Sequence, residues 1–97
     1  MNRDQIIAKL RELKPELERD SHVTAIAIFG SFARDEAGPD SDVDIIVEFG
    51  DKTPGMFGFV DLQDRLSLAL KRRVDLFTKN SLHPRLRDRI LAETIYA

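Results

Sequence analysis

The chain contains no cysteine. Disulfides and thiolate metal sites are therefore excluded, and a reducing compartment fits. No apolar run approaches the ~18 residues that a membrane-spanning helix needs. The opening stretch, MNRDQIIAKL, carries charges every few residues, unlike a signal peptide or anchor. A cytoplasmic protein with no membrane association is expected. There is no excess of basic charge either: 15 Lys and Arg against 17 Asp and Glu leave a net charge of −2, which argues against general nucleic-acid binding. The two histidines, His22 and His83, lie far apart without metal-like spacing. No His and acid are arranged near Ser31, so a hydrolase nucleophile is not indicated. Internal repeats, low-complexity tracts and linkers are all missing, so residues 1–97 are expected to form one domain.

What is present suits a folded domain with a modest core: 42% of residues are hydrophobic and 33% charged. The charge is unevenly placed. Residues 71–97 hold seven basic and three acidic side chains, whereas residues 1–70 are acidic, a polarity suited to head-to-tail or partner contacts. Ile6, Ile7, Leu10, Leu13 and Leu17 follow helical spacing over residues 4–19, with Asp4 near the amino end and Pro15 expected to kink or end the regular part. Residues 22–29, HVTAIAIF, read as a strand covered on both faces. A short helical turn is expected over Ser31–Glu36, followed by turn-forming AGPDSD. In the next strand, 43–49, Val43, Ile45, Val47 and Phe49 share one face and Asp44, Ile46 and Glu48 the other.

After the GDKTPG loop, a helix over 57–71 places Phe59, Leu62, Leu66, Ala69 and Leu70 inward. A third strand spans 73–78, and a last helix spans 83–95 with Pro84 in its first turn and Leu86, Ile90, Leu91 and Ile95 buried. The expected fold class is α/β (α+β): a small mixed three-stranded sheet covered by helices, in the order α-β-α-β-α-β-α.

The stretch GSFARDEAGPDSDVD, residues 30–44, carries the chemistry. A strand-to-helix turn offers unpaired N–H groups to an anion. Gly30 has no side chain to keep a phosphate from the backbone, Ser31 adds a hydroxyl, and Arg34 adds positive charge one turn on. Asp42 and Asp44, two residues apart on extended chain, point the same way and repel each other unless a cation lies between them. Mg²⁺ takes oxygen ligands and leaves room for phosphates. A two-metal site wants a third carboxylate, and Asp75, the only acid on the third strand, can supply it if that strand lies beside the second. Asp75 is also placed to act as a general base towards an acceptor hydroxyl. Each fragment alone is commonplace. Together at this spacing, chance supplies on the order of one match per thousand chains of this length.

Gly30-Ser31, ten residues, then Asp42-x-Asp44 resembles the signature of the DNA polymerase β-like nucleotidyltransferase superfamily. GSFAR, SDVDIIVEF and the closing RLRDRILAETIYA resemble its smallest branch, the minimal nucleotidyltransferase (MNT) domain proteins. The resemblance spans about residues 22–97. It implies nucleotidyl transfer from ATP with two Mg²⁺ ions, with Ser31 matching the phosphate-binding serine, Asp42 and Asp44 the metal ligands and Asp75 the third carboxylate. It further implies a HEPN-domain ribonuclease toxin as partner, with AMP transferred to a toxin tyrosine and the MNT protein acting as antitoxin.

Two alternatives stand beside that expectation: an antitoxin that only masks the toxin, and a transferase acting on a small-molecule hydroxyl. Larger relatives carry domains that clamp base and acceptor. Without them, a partner or self-association is expected to complete the site. Outside the signature, Arg72 and Arg73 are read as phosphate or partner contacts or as solvated charge. GMFGF (55–59) is read as a lid or interface patch, and Tyr96 as a packing residue rather than a self-modification site.

Overall fold

The structure, a computed structural model, describes residues 1–97. Helix α1, Arg3–Ser21, begins with a reciprocal cap. The Asn2 side chain accepts from the Gln5 N–H at 2.9 Å while the Asn2 N–H donates to Gln5 Oε1 at 2.8 Å. The helix ends at His22, in the left-handed region at φ 58°. Pro15 neither ends it nor shortens it: α1 runs six residues past the proline to Ser21. Ile6, Ile7, Leu10 and Leu17, on one face, are buried against the sheet. That burial holds a helix whose ladder lacks one N–H.

Strand β1, Val23–Phe29, leads straight into a four-residue helix α2, Gly30–Ala33, shorter than the turn expected to Glu36. Strand β2, Val43–Phe49, helix α3, Met56–Leu70, and strand β3, Val74–Phe77, follow. The sheet order is β3-β2-β1-β4, with β1 antiparallel to β2 and β3 parallel to β2. A parallel neighbour requires a crossover, which α3 supplies.

The alternation in β2 sorts the core into two. Val43, Ile45 and Val47 join Ile26 and Ile28 of β1 under α1 and α3, together with Leu62, Leu66 and Leu70. Ile46 and Phe29 lie on the opposite face with Leu82, Ile90 and Leu91, beneath helix α4, Pro84–Glu93. Phe59 and Ala69 of α3 are only half-buried; Phe59 packs its ring 6.4 Å from Phe49.

The carboxyl-terminal region departs from expectation. The last helix stops at Glu93, and Ile95–Tyr96 form a fourth strand, β4, antiparallel to β1. Thr94 turns the chain: its backbone is extended and its hydroxyl donates back to the Ile90 carbonyl at 2.8 Å. The Ala97 N–H then donates to the Ile26 carbonyl at 2.9 Å. A bare β1 edge would leave such groups unpaired, and β-branched Thr94 and Ile95 suit a strand better than a helix end. Leu86, expected inside, is 47% exposed. Tyr96, read as a packing residue, is instead 45% exposed: its backbone pairs through β4 and its hydroxyl donates to Glu48 at 3.2 Å. No helix is long and apolar enough to cross a membrane.

Because Pro15 is exposed and interrupts an otherwise continuous ladder, Pro15→Ala should raise unfolding free energy by about 1–3 kcal/mol. Urea unfolding followed by helical circular dichroism checks this. No gain would mean that the helix has fully accommodated the ring.

Candidate functional site

The site forms where β1 ends and where β2 and β3 begin. Gly30 stands at φ 73°, a conformation that other L residues adopt only with strain. A side chain there would also strike the Asp44 carboxylate: an added Cβ would lie 3.2 Å from the Asp44 Cγ. Glycine is thus required twice, by its backbone and by its neighbour. The bare turn and the aspartate are pressed together, because Phe29 pairs with Asp44 across the β1–β2 ladder.

The parallel register of β2 and β3 sets Asp44 opposite Asp75. Asp44 and Asp75 are thus set side by side, and Asp42 lies two residues before Asp44. Burial, first, and the charges of Asp75 and Asp42 raise the Asp44 carboxyl from its ordinary 3.8 to about 6, with Arg34 pulling the other way and Glu93 adding to the rise. All three aspartates are half-buried. No group of three or more His, Asp or Glu side chains in the structure is arranged to hold a metal ion.

Two open grooves flank these residues. One, of about 690 Å³, is lined by Gly30, Ser31, Arg34 and Asp44 together with Leu86 and Arg89 of α4. The other, of about 890 Å³, takes in Asp42 with Lys9, Lys71, Arg72 and Arg73. Asp42 and Asp44 thus open onto different grooves, because Asp42 precedes the first residue of β2 and the strict alternation of extended chain does not reach it.

The nucleotidyltransferase domain family matches residues 10–97 of the chain. The protein adenylyltransferase MntA of Thermococcus cleftensis is 39% identical over 93 residues, 96% of this chain and 93% of that protein. The chain belongs to the nucleotidyltransferase domain family. Within that family it is similar to the minimal, MntA-like proteins. A solved minimal nucleotidyltransferase superposes with a TM-score of 0.80 at 32% identity, covering 98% of this chain and 95% of that one. A toxin–antitoxin structure with AMP-PNP superposes at 0.69 with 26% identity, covering 99% and 72%.

In this nucleotidyltransferase, Gly30, Ser31, Arg34 and Asp44 share one groove. Arg34 is already engaged: its guanidinium pairs with Glu36 at 3.0 Å and with both oxygens of Glu93 at 3.1 Å. Glu93 also accepts from the Gly30 N–H at 3.2 Å. Sequence reasoning missed Glu93. It sits 63 positions from Gly30, at the end of a helix where a lone glutamate carries no local signal, and only the packing of α4 brings it there. His22 caps α1, and His83 caps α4 by accepting from the Arg85 N–H at 3.2 Å, so both histidines are structural.

The pH dependence of stability follows from Asp44. Its folded carboxyl holds a proton more tightly than the unfolded one, so its contribution to stability is fully present below about pH 4 and is lost as pH rises from 3.8 to about 6. Asp44→Asn removes that penalty. The variant should be more stable than wild type at pH 7.5 by about 1–2 kcal/mol, after allowing for solvent screening of a half-buried group, and equal to it near pH 4. Paired urea titrations at the two pH values test this. A destabilised variant at pH 7.5 would show that Asp44 is held by favourable contacts instead.

Proposed function

We propose that this nucleotidyltransferase transfers AMP from ATP to a tyrosine hydroxyl of a HEPN-domain ribonuclease toxin, in the cytoplasm, and thereby acts as its antitoxin. The observation that carries the reading is the placement of Gly30 against Asp44 and of Asp44 opposite Asp75. A bare phosphate-accepting turn and a carboxylate cluster share one edge of the sheet. The relatives add the acceptor class: one carries the name protein adenylyltransferase, and a structural neighbour is a toxin–antitoxin assembly with a non-hydrolysable ATP analogue. The HEPN identity of the toxin and its tyrosine follow from the MNT resemblance.

In this reading Gly30 and Ser31 hold the triphosphate, with Arg34 contributing positive charge beside them. Asp42, Asp44 and Asp75 would hold two Mg²⁺ ions, which requires their carboxylates to draw together from the arrangement here. The fit rests on an all-oxygen donor set and on the Asp44 carboxyl, raised to about 6 first by burial and then by the charges of Asp75 and Asp42, a penalty that a hard dication would relieve. When bound, Mg²⁺ supplies charge neutralisation for in-line displacement at the α-phosphorus. Asp75 takes the proton from the acceptor hydroxyl; the new bond joins that oxygen to the α-phosphorus, and pyrophosphate departs as the α–β bond breaks. The long groove beside Asp42 leaves the acceptor an approach separate from that of the nucleotide. In this reading the toxin completes the site in a hetero-oligomer.

The test is transfer of α-labelled AMP from ATP to the co-encoded partner with Mg²⁺. Label should appear on a toxin tyrosine and fall by at least about 100-fold in Asp42→Asn and Asp44→Asn. Wild-type protein that never labels the toxin would reject the proposal. A double variant that still neutralises in cells would show that masking suffices.

A further inference from the structure

Arg72 occupies the turn between α3 and β3, where sequence alone suggests a phosphate or partner contact or a solvated charge. Its guanidinium is instead engaged on three sides. Nη1 donates to the Pro39 carbonyl at 3.1 Å and to the Ser41 carbonyl at 3.2 Å, and the Cζ lies 5.0 Å from the centroid of the Phe32 ring. Its own backbone is held as well. The Arg72 N–H donates to the Ser67 carbonyl at 3.2 Å, and the next residue's carbonyl accepts from the Val43 N–H at 2.9 Å, which opens the β2–β3 pairing.

Each contact leads to a different part of the site. Phe32 follows Ser31 in α2. The Ser41 carbonyl and the Asp42 N–H lie in one rigid peptide plane, so a hydrogen bond that fixes the carbonyl also fixes the entry to Asp42. Arg72 itself lies three residues before Asp75, across a turn pinned by the left-handed Lys71 at φ 54°. The loop between is a tight turn: the Gly38 N–H donates to Ser41 Oγ at 2.9 Å, and the Ser41 N–H to the Gly38 carbonyl at 3.2 Å. A single nitrogen, Nη1, serves both carbonyls while the planar guanidinium lies over an aromatic face.

We propose that Arg72 is a positioning residue that sets the Asp42 carboxylate against Asp44 and Asp75 by tying the 38–42 loop to Phe32 and to the start of β3. The proposal rests on the carboxylates being the reacting centre, as argued above. Arg72 does not bind the nucleotide. Its Nη1 is spent on the two loop carbonyls, and it lies on the Asp42 groove rather than the one that Gly30 and Ser31 line.

Two measurements on the intact protein separate this from a purely structural or a ligand-binding role. The first is amide hydrogen exchange without nucleotide or metal. Arg72→Met keeps the stem over Phe32 but leaves both carbonyls without their donor. It should accelerate exchange over residues 38–43 by at least about tenfold while the β1–β2 core stays protected. Exchange over 38–43 that matches wild type would overturn the proposal.

The second is steady-state transfer of AMP. In Arg72→Met, kcat should fall by about 10–100-fold, the cost of a misplaced reacting group, with KM for ATP changed by less than about threefold. Arg72→Lys, which restores one donor without the stack, should recover part of kcat. A raised KM with unchanged kcat would make Arg72 a nucleotide contact and overturn the proposal. If Arg72→Met does not fold, Arg72→Lys carries both measurements. If wild-type protein transfers no AMP, the functional reading fails, and the exchange experiment still decides whether Arg72 braces the loop.

Discussion

Mutual repulsion among carboxylates on one edge of the sheet is the constraint that the rest of the structure serves. Asp44 is half-buried with Asp75 across the ladder and Asp42 beside it, and its carboxyl is raised accordingly. Folding alone would not favour this arrangement. It is enforced by two sheets of apolar contacts around β2, by a glycine that leaves room for the Asp44 side chain, and by a crossover helix that delivers β3 in parallel register. The nearest cation, Arg34, does not relieve the strain by pairing with the aspartates, because Glu36 and Glu93 hold it. What stability the core provides is partly consumed in keeping anions close, as is common at functional sites.

Much of this was legible in the sequence because it depends on short-range rules. The alternation of VDIIVEF assigns β2 to its observed residues and separates its two faces, and the apolar spacing of α1 and α3 marks their buried stripes. Gly30 and Asp44 are also locally readable: a glycine closing a strand and an aspartate that opens one. Asp75 needed only the assumption that strands two and three are neighbours, which their parallel ladder meets.

The rest was invisible for a physical reason: it depends on contacts between residues remote in the chain. Glu93 and Arg72 look like ordinary helix-end and turn charges, and only tertiary packing brings one to Gly30 and the other to the carbonyls before Asp42. Strand β4 has two residues, too few for a period to show, and its pairing is decided by the open edge of β1. Pro15 illustrates the opposite error. A local rule allowed the helix to end at the proline, and the buried face of α1 carries it six residues further although the ladder lacks one N–H there.

The splitting of the aspartates between two grooves has a consequence for occupancy. The two linings share no residue, so a molecule seated in one leaves the side chains of the other uncovered, and two ligands can be held without competing for the same groups.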